Sequence, residues 1–240
     1  MSQSYNLKQY WEFNNNEKQG FILTAVVCAF ILTFTKWGDK SFDAAAGLVN
    51  FFFAAVFFGL FLFFHIFTQK VAAIRTGHKS EYDVNIYYLI AAIIICFVSS
   101  GTAIVFIPGL FYISLLKYVR IGALKHETGM KDLAEIGMSG FLGSLMLVVL
   151  FYIIYYFLRT ELFFSLAHMN FLIALYSLIP VPKSPGWHIL YHSRWQFIFA
   201  LAATIVFGLL LKSIGLYSVL VAAIIGFVVA LIFYRQVEKR

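Results

Sequence analysis

Residues 63–70 place an imidazole and a carboxamide four positions apart, near the end of a long apolar run. Residues at i and i+4 share one face of a helix, and two histidines at this spacing bind catalytic zinc in the HExxH motif. The glutamate of that motif takes a proton from the metal-bound water. Here His65 keeps the first ligand position, whereas Ile66 replaces the glutamate and Gln69 replaces the second histidine. The segment therefore predicts the geometry of a zinc-binding helix without its full chemistry.

The amino-acid composition indicates which class of protein carries these side chains. Hydrophobic residues make up 62% of the 240 residues and charged residues 12%, about half the charged fraction of a soluble domain. Several nearly uncharged runs exceed 18 residues, the length that crosses a bilayer. We therefore expect an all-α polytopic protein with one membrane domain over residues 1–240. Cys28 and Cys96 lie in apolar runs and are expected to be packed thiols, and nucleic acid is excluded as a partner because no segment concentrates positive charge.

The distribution of Lys and Arg predicts the topology. The apolar segments are 20–34, 44–68, 84–116, 136–158, 162–182, 195–211 and 214–234. The third is too long for one span, and it contains Ser99, Ser100 and Gly101 as helix breakers. If it enters and returns on one side, 14 of the 18 basic residues lie on the side of the N-terminus, whereas a single crossing splits them 11 against 7. This predicts about six transmembrane helices, a re-entrant hairpin whose residues 101–116 pack against the bundle interior, a cytoplasmic lead-in over residues 1–19 and two cytoplasmic termini.

Three separated stretches carry a family resemblance. Residues 65–77, HIFTQKVAAIRTG, are similar to an HExxH helix that ends at a glycine. Residues 106–113, FIPGLFYI, come next and are similar to a Pro-Gly stretch. Residues 129–144 follow and are similar to the start of an AGPxxN helix, with Ser144 at the Asn position. Together with residues 170–190, these stretches resemble the site-2 protease family of intramembrane zinc metalloproteases, in particular its archaeal members.

The third stretch is the most specific of the three. It resembles a helix that ends in the pattern N-x-x-P-x-x-P-x-D-G. The matching residues are Asn170, Pro180, Pro182 and Gly186. Ser177 replaces the second Asn, and Pro185 stands where the family has its ligand Asp. The resemblance implies a protease-like core over residues 44–195, followed by a C-terminal helical pair over residues 195–240.

The departures from the family pattern remove its chemistry. Catalytic zinc takes three protein ligands and a water. The resemblance places these roles at His65, Ile66, Gln69 and Pro185, of which only His65 binds zinc well. We therefore expect no catalytic residue and no cofactor at these positions. An alternative is a rebuilt zinc site made of His65, His188 and His192.

The histidines also have simpler interpretations. His188 and His192 are i, i+4 polar residues that would lie at the membrane interface beside Trp187 and Trp195, in an aromatic belt. His65 is expected to be a neutral imidazole that bonds Ser177, Asn170 or a backbone carbonyl, with Gln69 as a second partner.

Four functions follow from these alternatives, the last of them a purely structural role that the sequence does not separate from the first. The first is a non-catalytic homologue of the site-2 proteases that lies in the lipid bilayer and binds transmembrane helices of other proteins. The resemblance implies that it would use Asn170, Ser177, Pro180, Pro182 and Gly186. The second is an active metalloprotease with the rebuilt ligand set. The third is a small transporter, against which stand the lack of a charged intramembrane pathway and of inverted repeats.

Overall fold

The chain is mostly helical. The computed structural model describes residues 12–38, 42–115 and 129–235. Residues 1–11 of the predicted lead-in and residues 236–240 at the C-terminus lie outside these ranges. The cytoplasmic location of the two termini therefore remains a prediction. The elements within the described ranges are α1 Asn15–Thr33, α2 Ala44–Arg75, β1 His78–Asp83, α3 Ile86–Val98, β2 Leu110–Leu115, α4 Met130–Leu158, α5 Glu161–Ser177, α6 Pro185–His192, α7 Arg194–Ile214 and α8 Tyr217–Phe233.

Helices α2, α4 and α7 are long and apolar enough to cross a membrane. Helices α3, α5 and α8 are apolar but shorter, with 13, 17 and 17 residues. Large hydrophobic side chains cover the outside of the bundle; Phe52, Leu209 and Ile224, for example, are 68%, 73% and 65% exposed. A water-soluble monomer rarely exposes so continuous an apolar surface. The exposed surface therefore has the character of one that contacts lipid.

Helix α1 begins five residues before the apolar run predicted to start at Gly20. Asn14 accepts a hydrogen bond from the helix N-terminus, and the Glu17 carboxylate accepts one from the Asn14 N–H, which together form a capping box. The reciprocal bonds satisfy backbone donors that have no partner inside the helix. Asn15–Thr33 therefore includes the last five residues of the predicted lead-in.

The third apolar segment doubles back on itself. Helix α3 ends at Val98, and Ser100 and Gly101 follow with φ of 52° and 77°, in the left-handed region that reverses the chain. The return strand β2 pairs antiparallel with β1, with Asp83 opposite Leu110. The segment thus ends beside the strand that precedes it, and its return on one side of a membrane stays a prediction. The expectation of an all-α fold was wrong in this place, because the structure contains a two-stranded sheet.

The returning chain packs against the bundle, as predicted. Phe106, Leu110 and Phe111 are 1%, 4% and 2% exposed. Phe106 contacts Phe58 of α2 edge to face, with ring centroids 5.4 Å apart. Irregular backbone at membrane depth needs such cover, because its polar groups have no water to bond.

Helix α4 is packed closely against its neighbours through a row of glycines. A Cβ atom on Gly137 would lie 3.1 Å from the Pro185 Cα, and one on Gly140 would lie 2.7 Å from the Gln69 side chain. A Cβ on Gly143 would come within 2.7 Å of Thr68. Small residues let helices approach when a membrane supplies no hydrophobic force between them. The row brings α2 and the start of α6 onto the same face of α4.

The two cysteines are buried and free, each 0% exposed, which confirms that Cys28 and Cys96 are packed thiols.

Candidate functional site

His65 lies inside the bundle, where α2 meets α4. Its side chain is enclosed, and its Nδ1 lies 2.9 Å from Ser144 Oγ. Its Nε2 lies 3.2 Å from Gln69 Nε2, one turn further along α2. A neutral imidazole that donates from Nδ1 to the serine and accepts at Nε2 from the carboxamide satisfies both contacts. Both ring nitrogens are thus occupied by neighbouring side chains.

Asn170 of α5 extends this arrangement to a third helix. Its Nδ2 donates to the Ser144 carbonyl oxygen at 2.7 Å, and its side chain is fully buried. We refer to His65, Gln69, Ser144 and Asn170 as the His65 cluster. The prediction that Gln69 is a partner of His65 is confirmed. Ser177 as a partner was wrong, because its hydroxyl donates to the Ala174 carbonyl oxygen of its own helix. Sequence reasoning placed Ser144 at the Asn position of the resemblance but did not predict it as a partner of His65.

The positions that the resemblance assigns to zinc chemistry converge on one helix face. Gln69 packs against Gly140 of α4, and Pro185 packs against Gly137. Positions three residues apart are neighbours on a helix surface, so both groups meet the same side of α4. Ile66 is 1% exposed and belongs to the apolar core. Among these four positions, His65 offers an imidazole and Gln69 a carboxamide, whereas Ile66 and Pro185 offer no side-chain ligand.

The alternative zinc ligands occupy different surroundings. His188 is 8% exposed, and its ring centroid lies 5.1 Å from that of Phe111. Both of its ring nitrogens are buried without a hydrogen-bond partner, and burial lowers its pKa from 6.5 to about 4. His192 ends α6 and is exposed. Within the described ranges, no three His, Cys, Asp or Glu side chains are grouped to hold a metal ion. The rebuilt site therefore stays a prediction.

The two histidines differ in exposure, and the interfacial interpretation stays a prediction for both. His192 lies on the surface. His188 is buried, because α6 turns its His188 side inward. Ser184 caps the helix by accepting from the Trp187 N–H at 3.1 Å, and Pro185 takes its first turn. This first turn of α6 packs on α4, and the packing directs the His188 side of α6 into the bundle.

The residues predicted to bind a partner divide into buried and exposed groups. Asn170, Ser177 and Gly186 are buried, and a Cβ on Gly186 would lie 2.1 Å from the Leu178 carbonyl oxygen. Pro180 and Pro182 are exposed on the loop between α5 and α6. In this conformation only the two prolines can touch another molecule.

A hollow of about 350 Å³ opens beside the loop. We call it the Pro182 hollow; its lining includes Asp83, Asn85, Tyr88, Leu110, Tyr112, Pro182 and Lys183. Lys183 has a φ of 68°, which non-glycine residues adopt at a cost of about 1–3 kcal/mol when the surroundings hold them there. Its carbonyl oxygen accepts from the Phe111 N–H of β2 at 3.3 Å. The loop is thereby attached to the sheet.

The Lys183 side chain forms one wall of the Pro182 hollow. Its Nζ donates to the Tyr112 hydroxyl at 2.6 Å and lies 4.4 Å from the Tyr112 ring centre. This hydrogen bond raises the pKa of Lys183 above its usual value, so the amine stays charged. A cation beside aromatic rings and the Asp83 carboxylate makes the hollow polar, although hydrophobic helices surround it.

A buried ion pair was not predicted from the sequence. Lys70 Nζ lies 2.7 Å from Glu17 Oε1, and both side chains are at most 3% exposed. The Tyr82 N–H donates to the same carboxylate oxygen, and Lys70 also donates to the Ser80 carbonyl oxygen. The pair therefore joins α1, α2 and β1. Its sequence signal was the capping box of Asn14 and Glu17, which places Glu17 at a helix start.

Comparison with known proteins gives no relative. No protein-family model, curated protein or solved structure matches this chain.

Proposed function

We propose that this chain is a multi-pass integral membrane protein that has a site-2-protease-like core, binds transmembrane segments of partner proteins and does not cleave them. The observation that carries the proposal is the His65 cluster. At the position that the resemblance assigns to a metal, hydrogen bonds made by the side chains of His65 and Asn170 link three helices, and the buried Asn170 Oδ1 has no partner.

The first step of the argument concerns the missing chemistry. Peptide hydrolysis by zinc needs an activated water and a base that accepts its proton. The base position holds the buried Ile66, and the distal ligand position holds Pro185, which has no side-chain donor. His65 directs both ring nitrogens to Ser144 and Gln69. These contacts hold α2 to α4 and leave no ring nitrogen of His65 free to bind a metal.

The second step concerns the topology. Six helices, α1, α2, α4, α5, α7 and α8, are the crossing elements of the proposed fold, and the stretch from α3 to β2 enters and returns on the cytoplasmic side. The pairing of β1 with β2 supports this arrangement, because it returns the chain beside Asp83. The placement of Lys and Arg supports both termini on that side.

The third step concerns where a partner would make contact. Pro180 and Pro182 present an exposed, rigid loop, and the Pro182 hollow lies next to it. Lys183 and Tyr112 provide polar groups at its wall, and Tyr112 is 43% exposed. A partner helix that unwinds locally beside this loop would expose backbone carbonyl oxygens, which a lysine amine and a tyrosine hydroxyl can bond.

Site-directed photo-crosslinking in native membranes tests the binding proposal. The photoreactive residue replaces Pro182 or Tyr112 in the full chain, and Leu209, 73% exposed on α7, carries it as the matched control. We expect discrete crosslinked products from the first two positions, containing membrane-spanning peptides of another protein. Equal, diffuse labelling at all three positions would refute binding at this loop.

The metal content of the purified protein distinguishes the enzyme alternative. We expect His65→Ala to change neither the zinc content nor any proteolytic activity of the sample. Near-stoichiometric zinc that disappears in His65→Ala would overturn the non-catalytic proposal and favour the ligand set with His188 and His192.

A further inference from the structure

A long cleft on the opposite side of α4 from the His65 cluster has no role in the proposed function. It has a volume of about 680 Å³ and lies between α4, α7 and α8. Its apolar walls include Leu142, Leu145, Val149, Phe207 and Val219. The lining runs along α4 from Lys131 to Val149, 18 positions later, which corresponds to roughly 27 Å at about 1.5 Å per residue.

The dimensions of the cleft restrict what can occupy it. The centres of water molecules can occupy about 680 Å³ of the cleft, which over that length is a mean cross-section of roughly 25 Å². Adding the radius of a water molecule, about 1.4 Å, on each side gives a free width of roughly 8–9 Å. An α-helix with its side chains is about 10–12 Å wide and does not fit between these walls. A hydrocarbon chain, whose carbon atoms meet their neighbours at about 3.5–4.0 Å, fits within this width.

The two ends of the cleft differ in polarity. One end, at the starts of α4 and α7, is lined by Lys131, Glu135, His192 and Gln196, and apart from Ser139 and Thr204 the rest is lined by hydrophobic residues. The Lys131 ammonium and the Glu135 carboxylate lie 3.7 Å apart and are mostly exposed. A site that offers a cation and an anion side by side is complementary to a phosphate and an ammonium carried by one head group.

The cleft is longer than that ligand needs. One leaflet of a bilayer, head group and hydrocarbon together, is roughly 20–23 Å thick. In the topology proposed above, Lys131 lies on the cytoplasmic side, so the polar end of the cleft falls at the head-group level and its apolar part at the depth of the acyl chains. The second groove on α4, lined by Met146, Leu150, Ile153 and Ile154, continues the apolar path.

We propose that the cleft between α4, α7 and α8 binds one phospholipid with a zwitterionic, ammonium-bearing head group, its phosphate at Lys131 and Gln196, its ammonium at Glu135 and one acyl chain along Leu145 and Val149. The contact between α4 and the C-terminal pair of helices is then completed by lipid. The inference shares the membrane location with the proposed function but uses a different surface and does not require a partner protein.

The experiment uses the full chain in nanodiscs that contain a phosphatidylethanolamine with a diazirine on one acyl chain. After illumination, we expect labelled peptides to come from the cleft, around Leu145, Val149 and Phe207. Ala223 lines the cleft from its exposed side, so Ala223→Trp fills it. We expect this change to lower cleft labelling about tenfold. Leu209→Trp adds the same ring to an exposed part of α7 outside the cleft and is expected to leave the labelling unchanged.

Two additions keep the result interpretable. Leu142→Trp fills the cleft from the α4 side. If both cleft variants lose labelling and both elute like the wild-type protein, the loss does not reflect misfolding. Lys131→Gln is expected to lower labelling about two- to fivefold, the range of one exposed charge contact.

Three results would overturn the proposal. Labelling that Ala223→Trp and Leu142→Trp leave unchanged would mean that the probe samples only bulk lipid around the bundle. Competition by phosphatidylglycerol equal to that by unlabelled phosphatidylethanolamine would remove the zwitterionic assignment. Crosslinks from the cleft to another polypeptide or to a second copy would replace the lipid with a protein. None of these results bears on crosslinking at Pro182, so the two proposals fail separately.

Discussion

The buried pair of Glu17 and Lys70 allows a quantitative test of the packing between α1, α2 and β1. We expect Lys70→Met and Glu17→Gln each to destabilise the protein by about 3–5 kcal/mol, because each leaves a buried group without its charged partner. At 2.7 Å and an effective dielectric constant of about 20, the attraction within the pair is about 6 kcal/mol. Moving the two charges out of water offsets most of this energy. The intact pair therefore contributes little net stability, whereas breaking it is costly.

The two cysteines provide the assay. Cys28 and Cys96 are fully buried, so a thiol-reactive fluorogenic dye reports unfolding in detergent. Since 1 kcal/mol shifts Tm by about 2–4 °C in a chain of this size, each single variant should lose about 6–20 °C. The double variant should lose less than the sum of the two single changes, with a coupling energy of about 0.5–3 kcal/mol.

Lys79 and Glu81 serve as the matched control. Their charged atoms lie 2.5 Å apart, but the side chains are 26% and 39% exposed. Lys79→Met should cost about 0.2–1 kcal/mol. If the Lys70 and Glu17 variants lose no more than this control, or if the double variant loses the full sum, water reaches the pair and the reasoning is refuted.

Three further predictions concern the site and its support. Gly186→Ala should destabilise the protein by more than about 3 kcal/mol or prevent folding, because the new Cβ would lie 2.1 Å from the Leu178 backbone oxygen. A variant that is folded and as stable as the wild-type protein in the same dye assay would contradict this close contact. Ser144→Ala should cost about 1–3 kcal/mol, because the buried Nδ1 of His65 loses its partner, whereas Ser144→Thr, which keeps a hydroxyl, should lose less at equal expression. The pKa of His188 is about 4 in the folded protein, below its ordinary value of 6.5. Between pH 6.5 and 4 the unfolded chain therefore binds a proton that the folded protein does not, and the free energy of unfolding falls by up to about 1.4 kcal/mol per pH unit as the pH is lowered. Above pH 6.5 this histidine is neutral in both states and no stability is lost. His188→Phe should flatten the decline of Tm in that window, and an unchanged slope would show that other groups cause it.

Local patterns predicted the helices and the return of the third segment well. The run before Val98 and the breakers Ser99 to Gly101 are properties of adjacent residues, and the placement of Lys and Arg depends only on order along the chain. The two strands could not be found in this way. Residues 78–83, HKSEYD, are polar and form β1 only because Leu110–Leu115 returns to pair with them.

The candidate site was predicted in part for the same reason. The contact of His65 with Gln69 lies within one helix turn and was expected from the i, i+4 spacing. The contact with Ser144 depends on how α4 lies across α2, which is set by the distant glycines Gly140 and Gly143. The start of α6, which carries His188, does have a signal in the sequence. Ser184 followed by Pro185 is typical of a helix start, and it predicts α6.

The two hydrogen bonds of His65 differ in when they can form. Ser144 lies 79 residues after His65, so at about 5–20 residues per second it leaves the ribosome roughly 4–16 s later. Gln69 lies only four residues away on the same helix and is available as soon as α2 is complete. For a chain inserted during synthesis, Gln69 thus gives the imidazole a partner within its own helix while α4 is still being made. Replacing Gln69 with Leu would expose an unpaired imidazole during that interval, and its first effect would be on the yield of inserted protein.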